Sequence, residues 1–339
     1  MARGIVKPTD SMAKIQEALN KYDIITFQKG VYKITQTLSI PSNRILLMEG
    51  AVLRRYFSKP VLMTACNEKT KAYNGACNIK IVGGTIEGMN DCGYSASDMV
   101  LLFHSDNVAF IGVTFLDNTG SHAIDIGGCR NTDILGCKFL GCKSVGKDFR
   151  EAIQIDYAYA GGIPYYAEGS PCFDDTHCEG VNIIGCTFDK SPTYKPQYVA
   201  IGTHAQTDSE KYHKDIVIKG NFANGNGISA KGSYGFFVRI VNMRNVEITK
   251  NVVKNYGRFV FVDSTPKTSA KVKGCRDMMI KNNFIIDSTD RFKASSVWVD
   301  GTDDNRAYNI SVIDNIFDKK DSTSYRYVTN FKESGTQIL

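Results

Sequence analysis

The chain has 339 residues, 42% of them hydrophobic and 22% charged, and carries a formal net charge of +6. That apolar content sustains a continuous core and excludes a disordered chain. Its lysines and arginines are scattered, without the dense basic run that tracks a nucleic-acid backbone, and no stretch approaches the roughly 20 apolar residues of a membrane-spanning helix, so neither a nucleic acid nor a membrane span is expected.

The opening MARGIVKPTD lacks the apolar stretch of a signal peptide, which predicts a soluble chain made in the cytoplasm, with any export by another route or a removed leader. In SMAKIQEALN, Met12, Ile15, Ala18 and Leu19 recur at helical spacing, with Asp10 or Ser11 as the N-cap. YDIITFQKGVYKIT and NRILLMEGAVLRR then alternate as strands do. Residues 1–75 read as an N-terminal cap and first coils, and 76–339 as one continuous β-helix. A short amphipathic helix over the first coil covers a core end that a solenoid otherwise leaves open.

Internal repetition is the strongest signal. A pattern of Asn or Asp, apolar, any, apolar, two residues, a small residue or Asn, any, apolar begins at residues 78, 107, 131, 180, 215, 245, 277 and 309. Examples are NIKIVGGTI from Asn78, NVEITKNVV from Asn245 and NISVIDNIF from Asn309. Its seventh position holds Gly84, Val113, Cys137, Cys186, Asn221, Asn251, Asn283 and Asn315, and the last four predict a stacked asparagine ladder bonded to backbone at a turn. The starts are 24 to 35 residues apart, with one gap of 49. Short strands at this spacing, with no helices between them, stack one unit per coil.

A second strand family precedes the first in each coil: MVLLFHS, HAIDIGG, EAIQIDYA, YVAIGTHA, GFFVRIVN, RFVFVDS and SVWVDGT. Period-2 parity sends Ile124/Ile126, Ile153/Ile155, Val238/Ile240, Val260/Val262 and Val297/Val299 inward and their neighbours outward. The polar C-terminus contains SYRYVTNFK, read as one last strand. Cys137 and Cys186 sit in core-like positions, Cys172 and Cys178 flank a loop as a candidate pair, and the absence of paired CxxC units argues against structural zinc. A reducing site of synthesis fits this usage. The fold class that follows is all-β, a single-stranded right-handed parallel β-helix with a short N-terminal helical cap.

The order of helical cap, ITFQKGVYKI strands and ladder coils resembles the pectate-lyase superfamily of right-handed β-helices. That superfamily includes polygalacturonase-like glycoside hydrolases, polysaccharide lyases and phage tailspike depolymerases. The likeness spans nearly the whole chain as architecture. Gly202-Thr203-His204 and Arg239-Ile240-Val241 resemble, in order and face, the Gly-His-Gly and Arg-Ile-Lys of polygalacturonases. Val241 departs from the final Lys, and no Asp-Asp pair occupies the matching strand, so galacturonate is not implied as the substrate. Asn131-Thr132-Asp133 spells the family's first motif, but parity assigns it to the ladder strand as a coincidence.

Parity gives two outward columns. The first holds Leu101, Asp125, Gln154, Gly202, Arg239, Phe261 and Trp298; the second holds Phe103, Gly127, Asp156, His204, Val241, Asp263 and Asp300. Coils about 4.8 Å apart and alternate residues about 6.8 Å apart put the Asp125 and Asp156 backbones roughly 8 Å from each other. That spacing is compatible with the ~6.5–9.5 Å carboxyl separation of an inverting glycosidase, in which one acid protonates the leaving oxygen and the other activates water. His204 beside Asp156 tunes its protonation. Arg239 suits a sugar carboxylate or hydroxyl, Gln154 lies in the same groove, and Trp298 with Phe261 offers a stacking platform. In the long gap, Asp174 and Asp175 are candidates for the acid missing from the strand, and Glu151 leads its strand as an outward-turning acid despite inward parity.

The leading expectation is a polysaccharide hydrolase with Asp125, Asp156, Asp175, His204 and Glu151 as its catalytic group and no cofactor. A lyase is the first rival, with Asp125, Asp156 and Asp175 holding Ca²⁺ and Arg239 as base or anion clamp. A non-catalytic glycan-binding adhesin or phage tail protein is the second. Each acid also reads as a plain solvated strand or loop carboxylate, His204 as a turn histidine, Arg239 as a cross-coil salt bridge and Trp298 as packing under a loop. The expected partner is a polysaccharide or cell-surface glycan, an oligomer is left open, and a virion location fits release by lysis.

Overall fold

The alternating segments become strands of three parallel sheets of 12, 10 and 11 strands. This computed structural model describes residues 1–88, 98–143, 151–160, 166, 169–203, 211–228, 235–265, 274–289, 295–318 and 323–339. Each coil contributes one strand to each sheet. In one turn, Val100–Phe103 belongs to sheet C, Asp106–Ile111 to sheet A and Thr114–Asn118 to sheet B, and the next coil returns to sheet C at Ile124–Gly127. The molecule is therefore a parallel β-helix wound from one chain. The second strand family supplies seven neighbouring strands of sheet C, and the repeat anchors lie on sheet A, Asn131-Thr132-Asp133 among them.

Inward side chains of all three sheets merge into one apolar core that runs from Val6 to Phe317. Because register is kept from coil to coil, like packs on like: Phe115, Phe139 and Phe188 are in register and stack with centroids 4.9 Å apart at each step. The asparagine ladder forms as expected. Asn221, Asn251 and Asn283 each donate from Nδ2 to the Oδ1 of the next rung at 2.9 Å, and also to the carbonyls of Ile183, Ile218 and Ile248. Backbone N–H groups of Asn221, Asn251 and Asn283 bond the next rung's Oδ1 at 3.0 Å, so these buried amides are satisfied on both sides. Cys137 and Cys186 continue the column, their Sγ atoms against the carbonyls of Phe110 and Ile134.

Helix α1 (Met12–Lys21) turns Ile15, Ala18 and Leu19 onto the first coils, and Ser11 caps it by accepting the Lys14 N–H at 3.3 Å. Two readings change. The tail SYRYVTNFK is two strands, Thr323–Tyr325 on sheet C and Val328–Ser334 on sheet A, because Arg326 and Tyr327 turn the corner between the sheets. Cys172 and Cys178 are both free thiols. Cys178 points into the core while Cys172 packs outside sheet C with Leu101 and Phe103, so the sheet wall separates them.

Candidate active site

Strand register on sheet C sets Leu101, Asp125, Gln154, Gly202, Arg239, Phe261 and Trp298 side by side on successive coils. Phe103, Gly127 and Asp156 form the start of the second column, and Val241, Asp263 and Asp300 its far end. His204 lies outside the described residues.

A third outward column stands at the corner where each strand of sheet C begins. Met99 and Val100, Ala123 and Ile124, and Ala152 and Ile153 all belong to the core, so two successive residues point inward on each coil. Alternation breaks there, and the preceding residues Asp98, His122 and Glu151 turn out. Phe236, at the matching position further along, stacks on outward Phe261 with ring centroids 5.2 Å apart. His122 Nδ1 lies 2.9 Å from the Glu151 carbonyl oxygen and 3.7 Å from its Oε2, and the His122 N–H donates to Asp98 Oδ1 at 3.1 Å. Asp98 and His122 were missed by parity alone, although the doubled apolar residue ahead of each strand marks the break.

These columns gather carboxylates. Burial lifts the Asp125 carboxyl well above the ordinary range, and the charges of Asp98, Asp156 and Glu151 lift it further. Asp98 is also raised by burial, against the pull of His122 and Arg55. Asp156 accepts Gln154 Nε2 at 2.6 Å and the Tyr157 N–H at 3.0 Å. Asp125 Oδ1 and Gln154 Oε1 are buried and make no hydrogen bond among the described residues. A carboxyl pushed toward its neutral form thus stands one coil from a hydrogen-bonded one, the asymmetry that lets two like groups take different roles.

The expectation of an open face fails along most of the column. Asp125, Gln154 and Arg239 are each 2% exposed and Phe261 3%, and Glu151 and Asp156 are fully buried. The chain leaving Asp156 folds back over the sheet: Ala158 and Cys172 pack on Leu101 and Phe103, with Tyr166 and Phe173 against them. Tyr159 sits within reach of the carboxylates, its hydroxyl pushed up by burial and then by Asp156, Asp125 and Glu151. His104 anchors this connection. Its Nδ1 meets the Ala72 carbonyl oxygen at 2.5 Å and its Nε2 the Cys172 carbonyl oxygen at 2.6 Å. Carbonyls only accept, so both contacts are hydrogen bonds when both ring nitrogens carry protons.

Asp174 belongs to that anchor. It accepts the Ala72 N–H at 2.8 Å and the Thr176 hydroxyl at 2.6 Å, and lies 4.0 Å from His104 Nε2. Burial works to raise its carboxyl, but these hydrogen bonds outweigh it and hold it low. Asp175 follows it in the same connection, its N–H donating to the Ala158 carbonyl at 3.0 Å, while the charges that raise Asp125 are those of Asp98, Asp156 and Glu151. Among the described residues no group of three or more His, Cys, Asp or Glu side chains is arranged to hold a metal ion.

Further along the column the chemistry changes. Arg239 Nη2 donates to Asp263 Oδ2 on the next coil at 2.9 Å, the cross-coil salt bridge that was one of its two readings. Phe261 and Trp298 stack at 4.2 Å with planes 11° apart, Arg258 lies 4.6 Å over the indole, and Trp298 keeps partial exposure. Asp300 is bonded by Arg326.

PfbA, a surface adhesin of Streptococcus pneumoniae, superposes on 94% of this chain and 79% of its own, with a TM-score of 0.75 at 20% identity. The Yersinia enterocolitica family 28 exopolygalacturonase covers 98% of this chain and 76% of its own (TM-score 0.62, 14% identity). The tailspike of Escherichia coli bacteriophage HK620, solved with a hexasaccharide, covers 96% and 61% (TM-score 0.63, 16% identity). This chain shares their parallel β-helix fold. In sequence it is 32% identical over 161 residues to the plasmin and fibronectin-binding protein A of S. pneumoniae, a match on 42% of this chain and 22% of the relative's length. No family model matches. Among the described residues no helix is long and apolar enough to cross a membrane.

Proposed function

We propose that the outward face of sheet C binds a polysaccharide and cleaves it by acid/base catalysis. Asp125, kept protonated, delivers a proton to the glycosidic oxygen, and Asp156 is the base for the attacking water. Glu151, Asp98 and His122 set the charge around Asp125. The partly exposed Trp298, backed by buried Phe261, is the platform on which the sugar stacks, and Arg239 and Gln154 orient it where the face opens. The observation that carries this reading is Asp125 itself: a buried acid raised by three neighbouring carboxylates on a face whose other half is aromatic. The named activity of the exopolygalacturonase and the glycan bound by the tailspike support the substrate class.

Two observations favour a second, non-catalytic reading. The carboxylates are closed off, and PfbA is called an adhesin. Incubation with a panel of capsular and cell-wall glycans, followed by mass spectrometry, separates the readings. Hydrolysis adds water, and Asp125→Asn abolishes it. Elimination leaves a double bond without added water and assigns a lyase. Binding that weakens in Trp298→Ala, with no product from any glycan, assigns the adhesin.

A further inference from the structure

Round the corner from sheet C, the strands of sheet A begin with a file of cations. Arg130, Glu179, Lys214, Arg244, Arg276 and Tyr308 are in register on successive coils. The first cations are matched locally: Arg130 pairs with Asp106 at 2.6 Å and Lys214 with Glu179 at 3.0 Å. Arg244 and Arg276 are different, since no described residue forms an ion pair with either. Instead Tyr212 lies between them, its ring 6.0 Å from the Arg244 guanidinium and 5.3 Å from that of Arg276, and Tyr308 covers Arg276 from the next coil at 5.2 Å. Arg244 and Tyr308 are exposed, and Tyr212 and Arg276 half-buried.

Aromatic rings hold a guanidinium by its flat face and leave the N–H donors at its edge for a planar or tetrahedral anion. The coil rise of about 4.8 Å is close to the length of one pyranose in an extended chain. Asp215 and Asp277 stand next to this file, each with Oδ1 taken by an amide, from Asn245 and Asn309. Those acids oppose a polyphosphate, which needs a longer uncompensated basic tract. They tolerate a polymer carrying sparser charge. We infer that Arg244, Tyr212, Arg276 and Tyr308 form a binding site for an acidic glycan, its sulfate or carboxylate groups on the two guanidinium edges and its sugar faces against the tyrosines. The site is separate from sheet C, and binding here stands whether or not that face cleaves anything.

The test is affinity of the full chain for heparin, polygalacturonate, neutral dextran and an oligothymidylate, measured by calorimetry across a salt series. Binding to one or both acidic glycans, weakened by salt, is expected, with dextran inert. The double variant Arg244→Ala/Arg276→Ala is expected to lose about tenfold or more in affinity, as charge-assisted hydrogen bonds require. Lysine at both positions restores only part, because it lacks the planar fork. A melting curve matching the wild type shows that the variants fold. Unchanged affinity in the double alanine variant, full rescue by lysine, or tighter binding of the oligonucleotide than of either acidic glycan would overturn the assignment.

Discussion

Asp125 and His213 are two buried groups whose protonation works in opposite directions. Burial, then Asp98, Asp156 and Glu151, raise the Asp125 carboxyl, so the fold prefers it neutral. The unfolded chain ionises it near an ordinary pKa of about 3.9, hence this contribution is complete below that pH and is lost as pH climbs toward the raised value. Asp125→Asn keeps the shape and cannot ionise. It should melt above the wild type at pH 7, with the gap closing toward pH 4 in thermal melts; identical melting at every pH would mean that the carboxyl is not held among acids. His213 is pulled down to about 3 by burial, then by His177, while its Nδ1 accepts the Cys178 N–H at 3.0 Å. Its contribution is complete above about pH 6.5 and is lost as pH falls from there toward about 3, at on the order of 1 kcal/mol per pH unit. Urea midpoints at pH 7 and 5 should therefore diverge in the wild type and converge in His213→Gln.

Among elements, the asparagine ladder carries the most concentrated polar stabilisation. Asn251→Ala removes the bond to the Ile218 carbonyl and leaves the Asn221 N–H, which it accepted at 3.0 Å, buried and unpaired. A cost of about 2–4 kcal/mol is expected from a lost buried network bond and a stranded donor, read as a lowered urea midpoint at unchanged slope. This ladder was legible because every rung repeats the same residue at the same position. The registers of Asp125, Gln154 and Asp156 were legible for a related reason: strand parity is binary, and the isoleucines beside them fix it. The turned-out Asp98 and His122 were not, since two inward residues in succession defeat a period of 2. The closed face was not either. It depends on the connection that follows Asp156, whose sequence has no period and whose described residues Ala158, Tyr166, Cys172 and Phe173 pack with Leu101 and Phe103 by shape. The tail failed similarly, because a corner of two residues between sheets leaves the alternation unbroken to the eye.

For the whole molecule, the decisive question is whether the connection over sheet C moves as a unit. It is fastened to the neighbouring coils through His104, whose ring bridges the carbonyls of Ala72 and Cys172 while Asp174 stands 4.0 Å away. His104→Ala takes the ring partner from the buried Cys172 carbonyl and empties a fully buried space, at a cost of about 1–3 kcal/mol for the group left unsatisfied. If the connection is a local unit, that loss favours its opening rather than global unfolding. Hydrogen exchange at residues 172–176 should then accelerate by about tenfold or more. Ile153 and Ile155, in the core below, should stay slow. A glycan product formed faster in this variant would show that opening limits access to Asp125. A global loss of melting temperature with uniform exchange would instead make the connection part of the rigid wall, and the buried carboxylates would then be unreachable by any polymer.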